Sequence, residues 1–117
     1  MNEETRKFQK ELNAGTTALV LLSVLDQAKE PMYGYQIARL IEANSANVPI
    51  LKQGALYPVL RALESSGLLM SEVEPSVSGP PRRYYRITDS GRQTLEKWRG
   101  IWERTKTLVD TILRGEE

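Results

Sequence analysis

The stretch Gly54-Ala55-Leu56-Tyr57-Pro58-Val59-Leu60-Arg61-Ala62-Leu63-Glu64-Ser65-Ser66-Gly67-Leu68 decides the fold. Leu56, Val59, Leu60 and Leu63 recur at steps of three and four, which predicts a helix over 54–66 with one buried stripe. Gln53, Tyr57 and Arg61 fall at i, i+4 and i+8 on another face. Pro58 is placed near the first turn, where a missing N–H costs least. Gly67 stands where a helix-ending glycine is expected.

Upstream, Ile37, Leu40 and Ile41 predict a short helix over 34–45, followed by the turn-rich Asn44-Ser45-Ala46-Asn47-Val48-Pro49. Earlier still, residues 4–29 read as a helix that is apolar nearly all round, and such a helix is usually buried on several sides. Gly15 weakens its first half and suggests a bend. Glu30-Pro31 ends it, because proline disfavours the helical state in the residue before it.

Downstream, residues 69–74 and 82–88 read as two strands, with Tyr85 and Ile87 on one face of the second. Pro75-Ser76-Val77-Ser78-Gly79-Pro80-Pro81 is expected to form a long hairpin tip. Thr88 is the expected N-cap of a last helix over 89–113, with Asp89 in its first turn. Leu95, Trp98, Trp102, Thr105, Val109 and Ile112 are spaced 3, 4, 3, 4, 3 along it, which is a heptad seam. Three helices, a hairpin and a helix predict a mainly α, α+β chain: a winged helix-turn-helix with an N-terminal helix and a long C-terminal helix. Residues 1–88 would be the DNA-binding domain and 89–117 a dimerisation helix belonging to the same compact unit.

The whole sequence has 117 residues, 40% hydrophobic and 26% charged, which suits one folded domain. It has no cysteine and no histidine. Disulfides, thiolate metal sites, the commonest general base and the commonest zinc ligand are therefore ruled out. No phosphate-binding glycine loop, metal-ligand cluster or nucleophile beside a base is visible, so no catalytic residue, metal or cofactor is expected. The apolar run Ala18 to Leu22 is too short to span a membrane, and the acidic N-terminus lacks a signal-peptide pattern. A cytoplasmic protein is expected.

Net charge is +1 and does not itself point to nucleic acid. Its distribution says more. Residues 49–61 carry Lys52 and Arg61 without an acid, and residues 78–88 carry Arg82, Arg83 and Arg86 without an acid. In a winged helix, helix 54–66 would enter the major groove of double-stranded DNA. Lys52 and Arg61 can then contact phosphates, Gln53 and Tyr57 lie near the reading end, and Gly54 lets the backbone approach. The alternative is an ordinary solvated helix face. Arg82 and Arg83 after a proline-stiffened turn can follow the backbone or enter a narrow minor groove. Alternatively, they are charges that protect an edge strand from aggregation.

Four segments, Tyr33-Gly34-Tyr35-Gln36-Ile37, Gly54-Ala55-Leu56-Tyr57-Pro58-Val59-Leu60, Leu63-Glu64-Ser65-Ser66-Gly67-Leu68 and Arg83-Tyr84-Tyr85-Arg86-Ile87-Thr88-Asp89-Ser90-Gly91, resemble in order and spacing the PadR family of bacterial transcription regulators. The single terminal helix is similar to that of its short subfamily. The resemblance covers roughly residues 10–112 and implies a homodimer on a palindromic operator, usually as a repressor. It implies DNA contacts at Lys52 and Tyr57 and a basic wing end at Arg82 and Arg83. Tyr33 and Tyr35 join them as candidates. Gln53 stands where many relatives carry Ser or Thr.

The seam supports a dimer independently, since a lone heptad stripe in so small a chain lacks an obvious partner. Leu12, Leu19, Leu95, Trp98, Trp102, Thr105, Val109 and Ile112 are the expected interface, unless the seam packs only within its own chain. Trp102 corresponds to the tryptophan that, in multidrug-sensing members, stacks on flat aromatic ligands. Trp98 and Trp102 are therefore candidates for an effector site, with interface core as the alternative. A different class of function, a protein-interaction module without ligand sensing, would have no need of Lys52, Arg61, Arg82 and Arg83 together.

Overall fold

The computed structural model describes residues 2–44, 53–76 and 78–115. The elements run α1 (Glu3–Gln27), β1 (Met32–Tyr33), α2 (Gly34–Ala43), α3 (Gln53–Ser65), β2 (Leu69–Ser76), β3 (Gly79–Ile87) and α4 (Asp89–Leu113). The sheet is antiparallel in the order β1-β3-β2. The chain is thus mostly helical with a small sheet, as a winged helix requires. No described helix is long and apolar enough to cross a membrane.

Local chemistry accounts for the element ends. The Asn2 side chain accepts a hydrogen bond from the Thr5 amide at 2.8 Å and opens α1. At the end of α3, Gly67 adopts φ +79°, the left-handed conformation that glycine tolerates best. The Leu68 amide then donates to the Leu63 carbonyl and the Gly67 amide to the Glu64 carbonyl, both at 2.9 Å. This is a Schellman ending, and it turns the chain directly into β2. Thr88 accepts from the Gly91 amide at 2.9 Å and donates to the Gly67 carbonyl at 2.8 Å. One hydroxyl therefore caps α4 and ties its start to the end of α3.

The core is built from Leu21, Leu22 and Leu25 of α1, Ile37 and Ile41 of α2, Leu56, Leu60 and Leu63 of α3, Leu69, Tyr85 and Ile87 of the sheet, and Leu95 of α4. Full burial of each such aliphatic side chain is worth about 1.5–3 kcal/mol. Asp26 reaches Arg92 at 3.4 Å and Arg99 at 3.8 Å, so charge also joins α1 to α4. The two arginines are about half-exposed, so these pairs add little to stability.

Several expectations need correction. Strand β1 was not foreseen: two residues are too few to show alternation, and only pairing with β3 (Met32 with Tyr85, Tyr33 with Tyr84) defines it. The hairpin tip is shorter than 75–81, because pairing continues to Ser76 and Gly79, with an irregularity between Glu74 and Ser76. Val77 and most of the loop after α2 lie outside the described residues. Pro58 sits in the second turn of α3, where it lacks an N–H for the carbonyl four residues earlier. The buried Leu56, Leu60 and Leu63 offset that loss by packing. Helix α1 runs unbroken through Gly15 and is buried only in its second half, at Thr17, Leu21, Leu22 and Leu25. Phe8 and Leu12 on its first half are exposed.

Candidate nucleic-acid interface

Helices α2 and α3 are the pair that a helix-turn-helix needs, and hairpin β2–β3 is the wing. Each strand of the wing has two faces. Register places Arg83, Tyr85 and Ile87 of β3 on the face shared with Val73, Ser71 and Leu69 of β2. Buried Tyr85, Ile87 and Leu69 show that this is the core-side face. Arg82, Tyr84 and Arg86 lie on the outer face with Glu74, Glu72 and Met70.

On the outer face, β1 brings Tyr33 beside Tyr84. Their ring centroids are 5.4 Å apart at 66°, an edge-to-face contact. The Arg82 guanidinium carbon lies 4.6 Å from the Tyr33 centroid, within cation–π range. Tyr35 stacks on Tyr33, with ring centroids 6.3 Å apart at 22°. Arg39 donates to the Tyr35 hydroxyl at 3.1 Å, and its guanidinium carbon lies 5.8 Å from that ring's centroid. A strip of half-buried Tyr33 and Tyr84 with exposed Tyr35, Arg39 and Arg82 thus links the start of α2 to the wing. Sequence reading missed Arg39 and Tyr84. The i, i+4 spacing of Tyr35 and Arg39 could have revealed the first, and the shared strand face of Arg82 and Tyr84 the second.

The core-side face is organised around Tyr85. Burial raises its pKa above the ordinary value near 10; Glu64 and Tyr57 push the same way, whereas Arg83 and Arg61 oppose. Arg83 shares the core-side strand face with this phenol. Arg83 donates to the Ser71 hydroxyl at 2.9 Å, and Ser71 donates to Glu64 at 2.6 Å.

The expected site residues are only partly gathered. Arg61 is exposed, and Tyr35 is 45% exposed. Tyr57 is half-buried, and its ring lies over Gly34 at the start of α2. Gln53 and Gly54 are the first two residues of α3. Lys52 lies outside the described residues. Arg82 and Arg83, expected to act together, are divided between opposite faces.

At the far end, α1 and α4 flank an apolar groove of about 440 Å³ lined by Leu12, Leu19, Trp98, Trp102 and Thr105 among others. Trp98 is partly buried against the core, whereas Trp102 is 39% exposed. Val109 and Ile112 are exposed beyond it. Leu95 departs from the expected interface: it is 1% exposed, packed in the chain's own core, and leaves almost nothing for a second copy to cover. The described residues contain no cluster of three metal-binding side chains.

Comparison with known proteins agrees with this architecture. Residues 21–97 match the model of the transcriptional regulator PadR-like family. A transcriptional regulator of Mycobacterium tuberculosis is 35% identical over 112 residues, covering 95% of this chain and 92% of that protein. The crystal structure of a PadR family transcriptional regulator from Eggerthella lenta is similar at a TM-score of 0.79 and 34% identity, covering 95% of this chain and 93% of that one. A transcriptional regulator from Clostridium thermocellum is similar at a TM-score of 0.77 and 27% identity, over 86% of this chain and 96% of that one. The chain belongs to the PadR-like family: it is a DNA-binding transcriptional regulator and not an enzyme.

Proposed function

We propose that the protein is a homodimeric cytoplasmic repressor that binds a palindromic operator and is released by a flat aromatic effector held at the dimer interface. The observation that carries this reading is the apolar face at the far end from the wing. Phe8, Leu12, Ile101, Trp102, Leu108, Val109, Ile112 and Leu113 are all exposed there on α1 and α4. So many large apolar side chains on one small chain mark an interaction surface. A second copy across a two-fold axis would cover both helices and leave the Trp102 groove at the junction. In this reading residues 1–88 bind DNA and residues 89–117 make the dimer.

The reading surface combines the start of α2 (Tyr33, Tyr35), the start of α3 with the residue before it (Lys52, Gln53, Gly54, Tyr57), Arg61, and Arg82 on the wing. Two copies would then present α3 to half-sites about one DNA turn apart. An effector that changes their separation misplaces one half-site, because operator spacing is fixed.

Three measurements test this. Light scattering should give twice the chain mass. Log affinity for duplex DNA should fall steeply with log salt, as counterions are released from several phosphates. Flat aromatic compounds should quench tryptophan fluorescence and weaken DNA binding. A monomer with a flat salt response would leave a protein-interaction module as the better account.

A further inference from the structure

Arg82 and Arg83 are neighbours in sequence and carry the same charge, yet they meet different partners. Arg82 lies over Tyr33. A guanidinium on a ring uses its flat face and leaves its in-plane N–H donors open to a phosphate. Arg83 is exposed, but it lies on the core-side face of the hairpin and reaches across to β2. Its Nη1 donates to Ser71 Oγ at 2.9 Å, and the Ser71 hydroxyl proton goes to Glu64 Oε2 at 2.6 Å. Ser71 is on β2, Arg83 on β3 and Glu64 in the last turn of α3. The half-buried Ser71 and Glu64 thus complete a chain of donors from the wing to the recognition helix.

We propose that Arg83 is a positioning residue for DNA binding: it sets the angle between wing and recognition helix through Ser71 and Glu64, and it makes no phosphate contact of its own. The proposal rests on the reading that α3 and the hairpin grip one duplex. The charges favour it, because a carboxylate one hydroxyl away offsets the guanidinium and weakens its pull on a phosphate. The geometry favours it too, since among the described residues no other side-chain hydrogen bond joins α3 to the wing strands. The Arg83–Ser71 bond ties β3 to β2 beside the strand ladder, and the Ser71–Glu64 bond adds a directional link to the apolar packing that already joins the wing to α3.

The test uses the full chain and a fluorescent duplex enriched by the wild-type protein from a random-sequence pool. Affinity is followed against salt for the wild type, Arg82→Ala, Arg83→Ala, Ser71→Ala, Ser71→Thr and the Arg83→Ala/Ser71→Ala pair. Arg82→Ala should reduce the salt slope by about one, as expected for a lost phosphate contact. Arg83→Ala and Ser71→Ala should each weaken binding about three- to tenfold, the net worth of one hydrogen bond, at unchanged slope. The double variant should lose no more than Ser71→Ala alone, because removing the Ser71 hydroxyl already breaks both bonds of the chain. Ser71→Thr, which keeps the hydroxyl, should bind like the wild type. A slope reduced by about one in Arg83→Ala, or wild-type affinity in Ser71→Ala, overturns the proposal while leaving DNA binding intact. A flat wild-type salt response overturns the two-point grip on which it stands.

Discussion

The Tyr57 hydroxyl rests so close to Gly34 that a Cβ built on the glycine would lie 2.6 Å from the oxygen and 2.7 Å from the ring carbon bearing it. The recognition helix is therefore seated on the first residue of α2, and glycine is needed there for space. Gly34→Ala should force the Tyr57 ring aside and destabilise the protein by about 1–3 kcal/mol, the usual cost of overpacking. Thermal melting of Gly34→Ala, Tyr57→Ala and the pair checks this. The pair should be more stable than the sum of the single losses implies, because the collision exists only when both side chains are present.

Tyr85 gives the stability a pH dependence at the alkaline end. Its folded pKa is raised above the ordinary value near 10, chiefly by burial. Below that value the phenol is neutral in both states and its full contribution is present. As pH rises past 10 the unfolded chain loses this proton first, so unfolding is favoured and stability falls. Denaturant midpoints measured across this range should drop less steeply in Tyr85→Phe than in the wild type. Parallel curves would show that another group is responsible.

The double duty of Thr88 predicts a cost larger than its size suggests. Thr88→Ala removes the α4 cap and the bond to the Gly67 carbonyl. A lost N-cap is worth about 1 kcal/mol, so the melting temperature should fall by several degrees. Thr88→Ser, which keeps the hydroxyl, should restore most of it.

The exposed seam predicts the assembly. Val109 and Ile112 are 46% and 65% exposed in the single chain, so a charge there leaves the chain's own core untouched. Val109→Asp or Ile112→Asp should keep the helical circular dichroism while weakening the dimer by on the order of 2 kcal/mol, about thirtyfold. Sedimentation at falling concentration reads this directly. Unchanged association would place the interface elsewhere.

Trp102 and Trp98 should separate in ligand binding. Trp102→Ala should abolish quenching by flat aromatic compounds and leave the fold intact, because its ring is partly solvated. Trp98→Ala should also lower thermal stability, since that ring is partly buried against the core cluster. Quenching that survives in Trp102→Ala would remove it from the effector site.

Much of this was legible along the chain because it depends on near neighbours. The Leu56, Val59, Leu60, Leu63 stripe, the Gly67 ending, the Thr88 cap and the unbroken seam of α4 are all relations between residues a few positions apart, where helical geometry leaves little choice. The same periodicity could not say that Leu95 turns into its own core while Val109 and Ile112 stay outside. That depends on where α4 passes the edge of α1. Nor could it foresee β1, the seat of Tyr57 on Gly34, or the different partners of two adjacent arginines. Each of these joins residues distant in sequence, and only sheet register and helix packing bring such residues together. Local periods determined the helices and the two hairpin strands; long-range packing decided which side chains the core buries and which the surface presents.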